Sequence, residues 1–242
     1  MSILAVDAGN SRIKWGLWDG NWSHQDWVAT SELTRLAVEW RTLPALRLLV
    51  ACSVAAPPVA QWIEAWARRS GVNLRWVVSQ REECGVRNSY LDPSQLGADR
   101  WAALIAAHHL VSGTVLTASV GTAVTVDALA QDGQFLGGLI LPGLDLMAEA
   151  LASGTAGLAR RCGAVALFPR TTADAIASGA VQSICGAIER MERVLAQRHA
   201  EPQILLTGGG AEVICSHLER PAQLMPNLVL EGLRIVAGSE RE

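Results

Sequence analysis

The chain of 242 residues shows the same order of sequence patterns twice. Each half begins with an apolar strand, SILAVDA in the first half and TVLTASV in the second, and each strand runs into a turn that contains glycine. Antiparallel strand patterns follow, and then helices and strands alternate. Because a repeat fixes the fold of both copies, we predict two α/β domains, residues 1–112 and 113–242. A cleft lined by the two glycine turns would lie between them, where ligand sites tend to occur.

Turn and capping signals predict the remaining elements. In the first half, RIKWGLW and NWSHQDWVA form a hairpin around Asp19-Gly20, a dipeptide typical of hairpin turns. One helix has Ser31 as its N-cap and the next begins at Pro57; NLRWVVS then forms a strand and SQLGADRWAALIAAHHLV a helix. In the second half, GTAVTVDALA and QFLGGLILPG form another hairpin. Two helices, a strand with a glycine turn in QILLTGGGAEVICSHL, and a last helix in LVLEGLRIVAGS complete it.

Composition and charge exclude several classes of function. Half of the residues are hydrophobic and 18% are charged, which allows a large core, and the net charge of −3 comes without any run of Lys or Arg. We therefore predict no nucleic-acid partner. The N-terminal MSILAVDAGN lacks the pattern of a signal peptide, and no apolar run reaches transmembrane length. These features predict a cytoplasmic protein without membrane association.

The cysteines are spaced too widely to form a recognised metal or redox motif. None belongs to a C-x-x-C pair, which is the usual arrangement at a structural zinc site. Free buried thiols in a reducing cytoplasm are the simplest interpretation. The five residues are Cys52, Cys84, Cys162, Cys185 and Cys215.

The segment DAGNSRIK combines the residue types that a phosphate chain requires. Gly9 allows backbone N–H groups to approach closely, Asn10 and Ser11 offer donors, and Lys14 offers a cation. Asp7 adds a carboxylate for Mg²⁺, directly or through water. The alternative is a hairpin turn in which glycine and asparagine only supply the backbone conformation. The segment by itself does not decide between these interpretations.

The segment ASVGTAVTVD repeats this arrangement at the first turn of the second half. Gly121 and Thr122 again present backbone N–H groups and a hydroxyl between two apolar strands, although a simple β-turn fits the pattern too. The equivalent position in each half favours a shared role in nucleotide binding. Neither segment is a Walker A loop, and no strand is followed by GxGxxG, which argues against P-loop and Rossmann folds.

Two further segments carry candidate chemistry. In GADRW, Asp99 can act as a general base for a hydroxyl, and the fork of Arg100 suits a carboxylate or phosphate. The alternative is a helix start with an acidic first turn. In LTGGGAEV, a strand runs into three glycines, which would let the backbone pass close to a flat ligand such as adenosine. A plain strand-to-helix turn is the alternative there.

Together these segments make the chain resemble the type III pantothenate kinase family, within the group of two-domain ATPases that includes actin, sugar kinases and Hsp70. DAGNSRIK resembles the first phosphate motif, and GTAVTVD with GQFLGGLILPG resembles the second. GVRNSYLDPSQLGADRW matches the most specific family segment, and TTADAIASGAVQSICGAIERM matches one with a substrate-contacting Thr. The resemblance, from Asp7 to Gly210, implies two similar ribonuclease H-like α/β domains of the actin-like ATPase type, with mixed sheets and an interdomain nucleotide cleft. Some family members were first described as Bvg accessory factors.

The resemblance implies a role for each matching residue. ATP phosphates and Mg²⁺ would be held by Asp7, Ala8, Gly9, Asn10, Ser11, Arg12, Ile13 and Lys14, with Thr122 contacting the phosphates from the second half. Pantothenate would be bound by Tyr90, Gly97, Ala98, Asp99, Arg100 and Thr172. Asp99 would accept the proton of the substrate hydroxyl, and Asp7 would serve Mg²⁺ through ATP. Family members are homodimers, and Thr172 would reach pantothenate from the partner subunit.

Two positions depart from the family pattern. Ser119 stands two residues before Gly121, where the family usually has an Asp that helps to bind K⁺ or NH₄⁺. A hydroxyl is a weaker ligand for a monovalent cation than a carboxylate. Either backbone carbonyls and water complete the site, or the cation requirement is altered. The Asn-Thr that usually precedes the following helix is Thr171-Thr172 here.

The resulting hypothesis is ATP-dependent phosphorylation of pantothenate to 4′-phosphopantothenate, the first step of coenzyme A biosynthesis, by a phosphotransferase with an alcohol acceptor. Two alternatives remain. One is a regulatory or accessory protein that keeps the fold without catalysis, which the intact Asp7, Asp99, Arg100 and Thr122 disfavour. The other is a kinase for another small hydroxy acid, since pocket chemistry alone admits other substrates.

Overall fold

The computed structural model describes residues 2–155 and 163–239. Its strands are β1 (Ser2–Ala8), β2 (Arg12–Trp18), β3 (Trp22–Ala29), β4 (Leu46–Ser53), β5 (Leu74–Trp76), β6 (Glu82–Glu83), β7 (Val86–Asn88), β8 (Val115–Val120), β9 (Ala123–Leu129), β10 (Gln134–Pro142), β11 (Gln203–Thr207) and β12 (Ala222–Leu224). Its helices are α1 (Leu33–Glu39), α2 (Pro57–Ser70), α3 (Ala98–Leu110), α4 (Leu144–Gly154), α5 (Thr172–Ala196), α6 (Ala211–Cys215) and α7 (Leu228–Gly238). Short 3₁₀ turns occupy Trp40–Thr42 and Pro93–Gln95.

The chain divides into two compact units. The first comprises Met1–Leu110 together with Asn227–Glu242, and the second comprises Val111–Pro226. This division differs from the predicted one, which has its boundary after residue 112 and assigns the C-terminal end to the second domain. The reason is that α7 packs against α3 and β1, so the end of the chain belongs to the first unit.

The first unit is built on a mixed sheet with the strand order β3-β2-β1-β4-β5. β1 pairs antiparallel with β2 and parallel with β4. Helices α1 and α2 cover one face, where Leu36 and Ile63 pack with Val6 and Trp15. Because successive side chains of a strand point to opposite faces, Asp7 lies on the other face. Helix α7 packs against β1 and β4, and α3 packs against β4 and α7. The charge of Asp99, in the first turn of α3, acts on Asp7.

The second unit repeats this arrangement. Its strands follow the order β10-β9-β8-β11-β12, and β8 pairs antiparallel with β9 and parallel with β11. Helices α5 and α6 pack on one face of this sheet through residues such as Ile184 and Ile214. Strand order and strand directions match those of the first unit. The predicted duplication, and the predicted α/β class with mixed sheets, are therefore confirmed.

Several local predictions need correction. The predicted N-cap at Ser31 is wrong, because the residue before α1 is Glu32 and its side chain makes no capping hydrogen bond. The predicted strand NLRWVVS is limited to β5, and β6, β7 and β12 are strands that the sequence pattern does not indicate. α3 begins at Ala98 and not at Ser94, because the Asp92 side chain accepts a hydrogen bond from the Ser94 N–H and starts a 3₁₀ turn there.

Tryptophans fill part of the core of the first unit. The ring centroid of Trp40 lies 6.2, 5.7 and 4.8 Å from those of Trp15, Trp62 and Trp66. Trp15 and Trp40 are buried, and tilted or edge-to-face rings add to the stabilisation from the area that they bury. Packing accounts for these four members of a set of nine tryptophans.

The close approach of α7 to α3 depends on Gly232. A Cβ atom on this residue would lie 1.8 Å from the backbone oxygen of Ala102. Gly232→Ala should therefore force the helices apart and lower the free energy of unfolding by about 3 kcal/mol, measured by urea denaturation. Gly238→Ala on the same helix is the matched control, because a Cβ there meets no atom within 4 Å. Equal stabilities of the two variants would contradict this packing.

Candidate active site

Three side chains form a row across the central strands of the first unit. The register aligns Asp7 of β1 with Lys14 of β2 on one side and with Cys52 of β4 on the other. Side chains at directly paired positions share one face of a sheet. The Cys52 thiol donates a hydrogen bond to Oδ1 of Asp7 over 3.7 Å. The Asp7 carboxylate is thus held between a thiol donor and a cationic side chain.

Asp99 adds a second carboxylate to this row. Burial raises the pKa of Asp7 to about 6, and the nearby charge of Asp99 adds to the rise, whereas the Lys14 ammonium and the hydrogen bond from Cys52 oppose it. Two carboxylates from β1 and from the first turn of α3 therefore lie close enough to repel each other. Such a pair favours a cation or a proton between its members.

The Cys52 side chain stays protonated in this environment. Burial raises the pKa of the Cys52 thiol well above its usual value, and the charges of Asp7 and Asp99 raise it further. The cysteines Cys52, Cys84, Cys185 and Cys215 are free, as predicted, although Cys84 and Cys215 are only half-buried. The predicted free Cys162 lies outside the described residues.

The start of α3 fixes the Asp99 side chain. Oδ1 of Asp99 accepts a hydrogen bond from the Arg100 N–H over 2.8 Å. A Cβ atom on Gly97 would lie 2.6 Å from the same oxygen, so the glycine leaves room for the carboxylate. Ala98 is the first residue of α3, so its backbone forms the start of the helix. Gly97 and Ala98 thus position Asp99 in this structure.

Arg100 and Tyr90 lie together beside this helix start. Arg100 is buried, and its Nη1 donates a hydrogen bond to the Tyr90 hydroxyl over 3.1 Å. The buried Asn88 holds the Tyr90 segment: its Oδ1 accepts from the Tyr90 N–H at 3.0 Å, and its Nδ2 donates to the Pro93 carbonyl at 3.2 Å. The sequence pattern does not indicate a role for Asn88, although this residue lies within GVRNSY. The signal that could have indicated it is the presence of a polar residue within the segment most specific to the family.

The first glycine turn joins β1 to β2 as a tight loop. The Gly9 N–H donates to the Arg12 carbonyl over 3.0 Å, and the Thr30 hydroxyl donates to the Gly9 carbonyl over 3.0 Å. The side chains of Asn10 and Ser11 are exposed. The segment is therefore a hairpin turn in form, and it places the Asn10 and Ser11 side chains at the surface of the turn.

Other members of DAGNSRIK have different surroundings. Ala8 and Ile13 are buried in the core of the first unit, so their side chains do not face a ligand. The guanidinium of Arg12 lies 4.1 Å from the ring centroid of Trp27, which is a cation–π contact. The structure thus brings Asp7, Lys14 and Asp99 together and turns the Ala8 and Ile13 side chains into the core.

Glycines surround the turn between β8 and β9 in the second unit. The Gly143 N–H donates to the carbonyl of Thr122 over 2.8 Å, and a Cβ atom on Gly143 would lie 2.1 Å from the Gly121 oxygen. Gly208 has a φ of +96°, and a Cβ atom there would lie 2.4 Å from the Val120 oxygen. The segments LPG and TGGG therefore pack directly on the VGTA turn. The Thr122 side chain remains exposed.

Ser119 occupies the position in the second unit that Asp7 has in the first. It lies on β8 in register with Thr125 of β9 and Thr207 of β11. The row contains three hydroxyl groups where the first unit has a carboxylate, an ammonium and a thiol. The Thr207 hydroxyl donates to the Pro226 carbonyl over 3.3 Å. The residues aligned with Ser119 therefore provide no carboxylate for a monovalent cation.

Thr172 is the first residue of α5 in the second unit, and its side chain is exposed. The preceding Thr171 is the N-cap: its hydroxyl accepts from the Asp174 N–H over 3.1 Å and donates to Oδ2 of Asp174 over 2.7 Å. Hydrogen bonds from Thr171 and from the Ala164 N–H lower the pKa of Asp174. Thr172 belongs to the second unit, whereas Asp99 belongs to the first.

Within residues 2–155 and 163–239, no group of three or more His, Cys, Asp or Glu side chains could hold a metal ion. None of the helices in these ranges is long and apolar enough to span a membrane.

Proteins of known family are similar to this chain over most of its length. A sequence profile of type III pantothenate kinase matches residues 3–194. A type III pantothenate kinase from Nitrosospira multiformis is 43% identical over 242 residues, covering 99% of this chain and 92% of the relative.

Solved structures show the same fold at low sequence identity. One described as a Baf family transcriptional activator from Campylobacter jejuni has a TM-score of 0.65 and 18% identity, covering 99% of this chain and 100% of that chain. One described as a 2-dehydro-3-deoxygalactonokinase from Sinorhizobium meliloti has a TM-score of 0.59 and 16% identity, covering 99% of each chain. The fold is thus one used by sugar kinases. With its motifs, profile match and close relative, the chain belongs to the type III pantothenate kinase family.

Proposed function

We propose that this protein transfers the γ-phosphoryl group of ATP to the primary hydroxyl of pantothenate, forming 4′-phosphopantothenate for coenzyme A biosynthesis. The observation that carries the proposal is the proximity of the Asp7 and Asp99 carboxylates in the first unit, where Asp99 precedes the buried Arg100. One carboxylate can serve the metal-bound nucleotide while the other serves the acceptor hydroxyl. Family membership supplies the two substrates.

The residues around Asp7 fit ATP with Mg²⁺. Mg²⁺ prefers carboxylate oxygens and phosphate oxygens and keeps several waters, and the repulsion between Asp7 and Asp99 would be relieved by a cation. Lys14 and the exposed Asn10 and Ser11 would contact the phosphates. Bound Mg²⁺ neutralises charge that develops on the transferred phosphoryl group.

Asp99 is the proposed proton acceptor. The Arg100 N–H and the space left by Gly97 orient its carboxylate, so it can align the substrate hydroxyl and take its proton as the phosphoryl group is transferred. The guanidinium of Arg100, held by Tyr90, would bind the pantothenate carboxylate, because a planar fork suits that group. Thr122 and Thr172 are proposed to contact phosphate and pantothenate, respectively, from the second unit.

The same residues bear on two other candidate functions, a regulatory protein and a kinase for another hydroxy acid. A regulatory protein that only keeps the fold would not need a buried carboxylate beside a second one; burial, and then the charge of Asp99, raise the pKa of Asp7 at a cost in stability. The structural neighbour described as a transcriptional activator is 18% identical, which supports a shared fold and not a shared role. A kinase for another hydroxy acid is distinguished by its substrate preference.

A substrate panel tests the proposed specificity. The protein is incubated with MgATP and with pantothenate or other small hydroxy acids, and kcat/KM is compared. We expect pantothenate to be the best acceptor, and removal of its carboxylate to raise KM because Arg100 would lose its partner. A hydroxy acid that is phosphorylated more efficiently than pantothenate would contradict the assignment.

The surroundings of Ser119 do not fit a monovalent-cation site that depends on a carboxylate. The aligned Thr125 and Thr207 offer only hydroxyl groups, which are weak ligands for such an ion. We expect K⁺ and NH₄⁺ to leave turnover unchanged at constant ionic strength, with choline chloride as the control salt. Ser119→Asp should introduce several-fold stimulation by either ion. Strong stimulation of the unchanged protein would show that other groups complete the site.

We also propose a cytoplasmic homodimer. Leu167 and Phe168, which shortly precede Thr172, are 78% and 84% exposed. Adjacent large apolar side chains of this kind are typical of a surface that another protein covers, and a second copy of the chain would bring Thr172 to the partner's substrate. Light scattering of the intact protein tests the dimer, and a monomer that is fully active would contradict it.

A further inference from the structure

The Cys52 thiol is a polar group of the candidate site that the proposed reaction does not use. Cys52 is completely buried. It lies in register with Asp7 on the adjacent strand, and its Sγ donates to Oδ1 of that carboxylate over 3.7 Å. The thiol therefore touches the proposed nucleotide-binding carboxylate from the side opposite to Lys14.

This contact limits the orientation of the Asp7 carboxylate. The torsion at the end of an Asp side chain is soft and broad, so a carboxylate without fixed donors can rotate. The thiol engages Oδ1, and the second oxygen stays available to a ligand because an ionised carboxylate accepts several hydrogen bonds. A donor fixed on β4 would thus select one rotamer of a residue on β1.

The equivalent row in the second unit provides a contrast. Thr207 stands in the place of Cys52, and its hydroxyl donates to the Pro226 carbonyl over 3.3 Å. The residue aligned with it on β8 is Ser119, which carries no charge. The donor–carboxylate contact is thus found in the unit that holds the proposed Mg²⁺ ligand.

We propose that Cys52 is a positioning residue whose S–H group holds the Asp7 carboxylate in the orientation that receives the Mg²⁺ of bound ATP. This inference rests on the proposed nucleotide-binding role of Asp7 and adds a residue to it. Cys52 acts through Asp7 and touches neither ATP nor pantothenate.

Calorimetric binding of Mg²⁺ with a non-hydrolysable ATP analogue tests this role independently of turnover. Cys52→Ala should raise Kd about 3–10-fold, as expected for the loss of one hydrogen bond. Cys52→Ser should recover most of the affinity, because a hydroxyl can donate to the same oxygen. Cys52→Val removes the donor while it keeps the buried volume, and it should behave like Cys52→Ala, which keeps the test valid if the alanine variant unfolds.

A matched control comes from the second unit. Cys185 is also a buried free thiol, but its Sγ lies 3.9 Å from the Ile214 carbonyl. Cys185→Ala therefore removes the same atoms from a core without touching a carboxylate of the site. It should leave Kd unchanged, and a loss of affinity equal to that of Cys52→Ala would overturn the proposal.

A double-mutant cycle assigns the effect to Asp7. In an Asp7→Asn background, Cys52→Ala should no longer change Kd, because coupled residues are not additive. An unchanged Kd in the single variant Cys52→Ala, or an equal loss in both backgrounds, would overturn the proposal. Phosphopantothenate formation by the unchanged protein is measured in parallel. Its absence would contradict the proposed function, whereas the binding cycle would still decide the role of Cys52.

Discussion

Replacing Asp99 with asparagine should lower kcat for phosphopantothenate formation by about 10²–10⁴-fold, the usual contribution of a general base. Asparagine has nearly the same shape, so its side-chain oxygen can still accept from the Arg100 N–H and fit beside Gly97. The variant should therefore fold normally. It should also bind pantothenate through Arg100, so that KM changes much less than kcat.

A control variant separates this effect from a general change in charge. Asp19 is an exposed carboxylate in the hairpin turn between β2 and β3 of the same unit, and an Asn-Gly turn is at least as favourable there. Asp19→Asn should keep wild-type kcat and KM. Full turnover by Asp99→Asn would contradict its assignment as the base.

Asp7→Asn should abolish most of the activity and at the same time stabilise the protein without Mg²⁺. Burial raises the pKa of Asp7 from 3.8 to about 6, with a further contribution from Asp99. Between these pH values the folded protein holds a proton that the unfolded chain has released. The contribution of Asp7 to the free energy of unfolding is therefore most favourable below pH 3.8, and it is lost as the pH rises through about 6.

The size of this effect is measurable by urea denaturation in EDTA. The rise in the pKa of Asp7 from 3.8 to about 6 lowers the free energy of unfolding by roughly 3 kcal/mol at neutral pH. Asp7→Asn should recover much of this loss because an amide does not ionise. Below pH 3.8 Asp7 is protonated in both the folded and the unfolded protein, so its ionisation should contribute little to the difference in free energy of unfolding between the two proteins. An Asp7→Asn protein that is equally or less stable at neutral pH would contradict the burial and repulsion described for Asp7.

The sequence could predict the elements whose signals are local. The strands on both sides of DAGNSRIK and VGTA follow from apolar runs and glycine turns, and the order of strands in the two units follows from their repetition. The N-cap at Ser31 failed because a short polar side chain is only a preference; here Glu32 precedes the helix. The short strand β12 carries little periodic signal and depends on its pairing with β11.

Contacts between distant residues could not be predicted in the same way. Cys52 is 45 residues from Asp7, and only the register of β1 with β4 brings the two together. The association of α7 with α3 depends on the space at Gly232, which a helical pattern does not reveal. Asp99 was recognised from its family segment, whereas its proximity to Asp7 follows from the packing of α3 on the sheet.

The central claim is that this chain phosphorylates the primary hydroxyl of pantothenate with ATP, using Asp99 as the base. Phosphorus NMR of a reaction with MgATP and pantothenate tests it most directly, since the ADP and the phosphate ester are observed together. We predict that the unchanged protein forms one phosphopantothenate for each ADP. Asp99→Asn should form both products far more slowly than the unchanged protein. ADP formed without phosphopantothenate, or equal product formation by the two proteins, would contradict the claim.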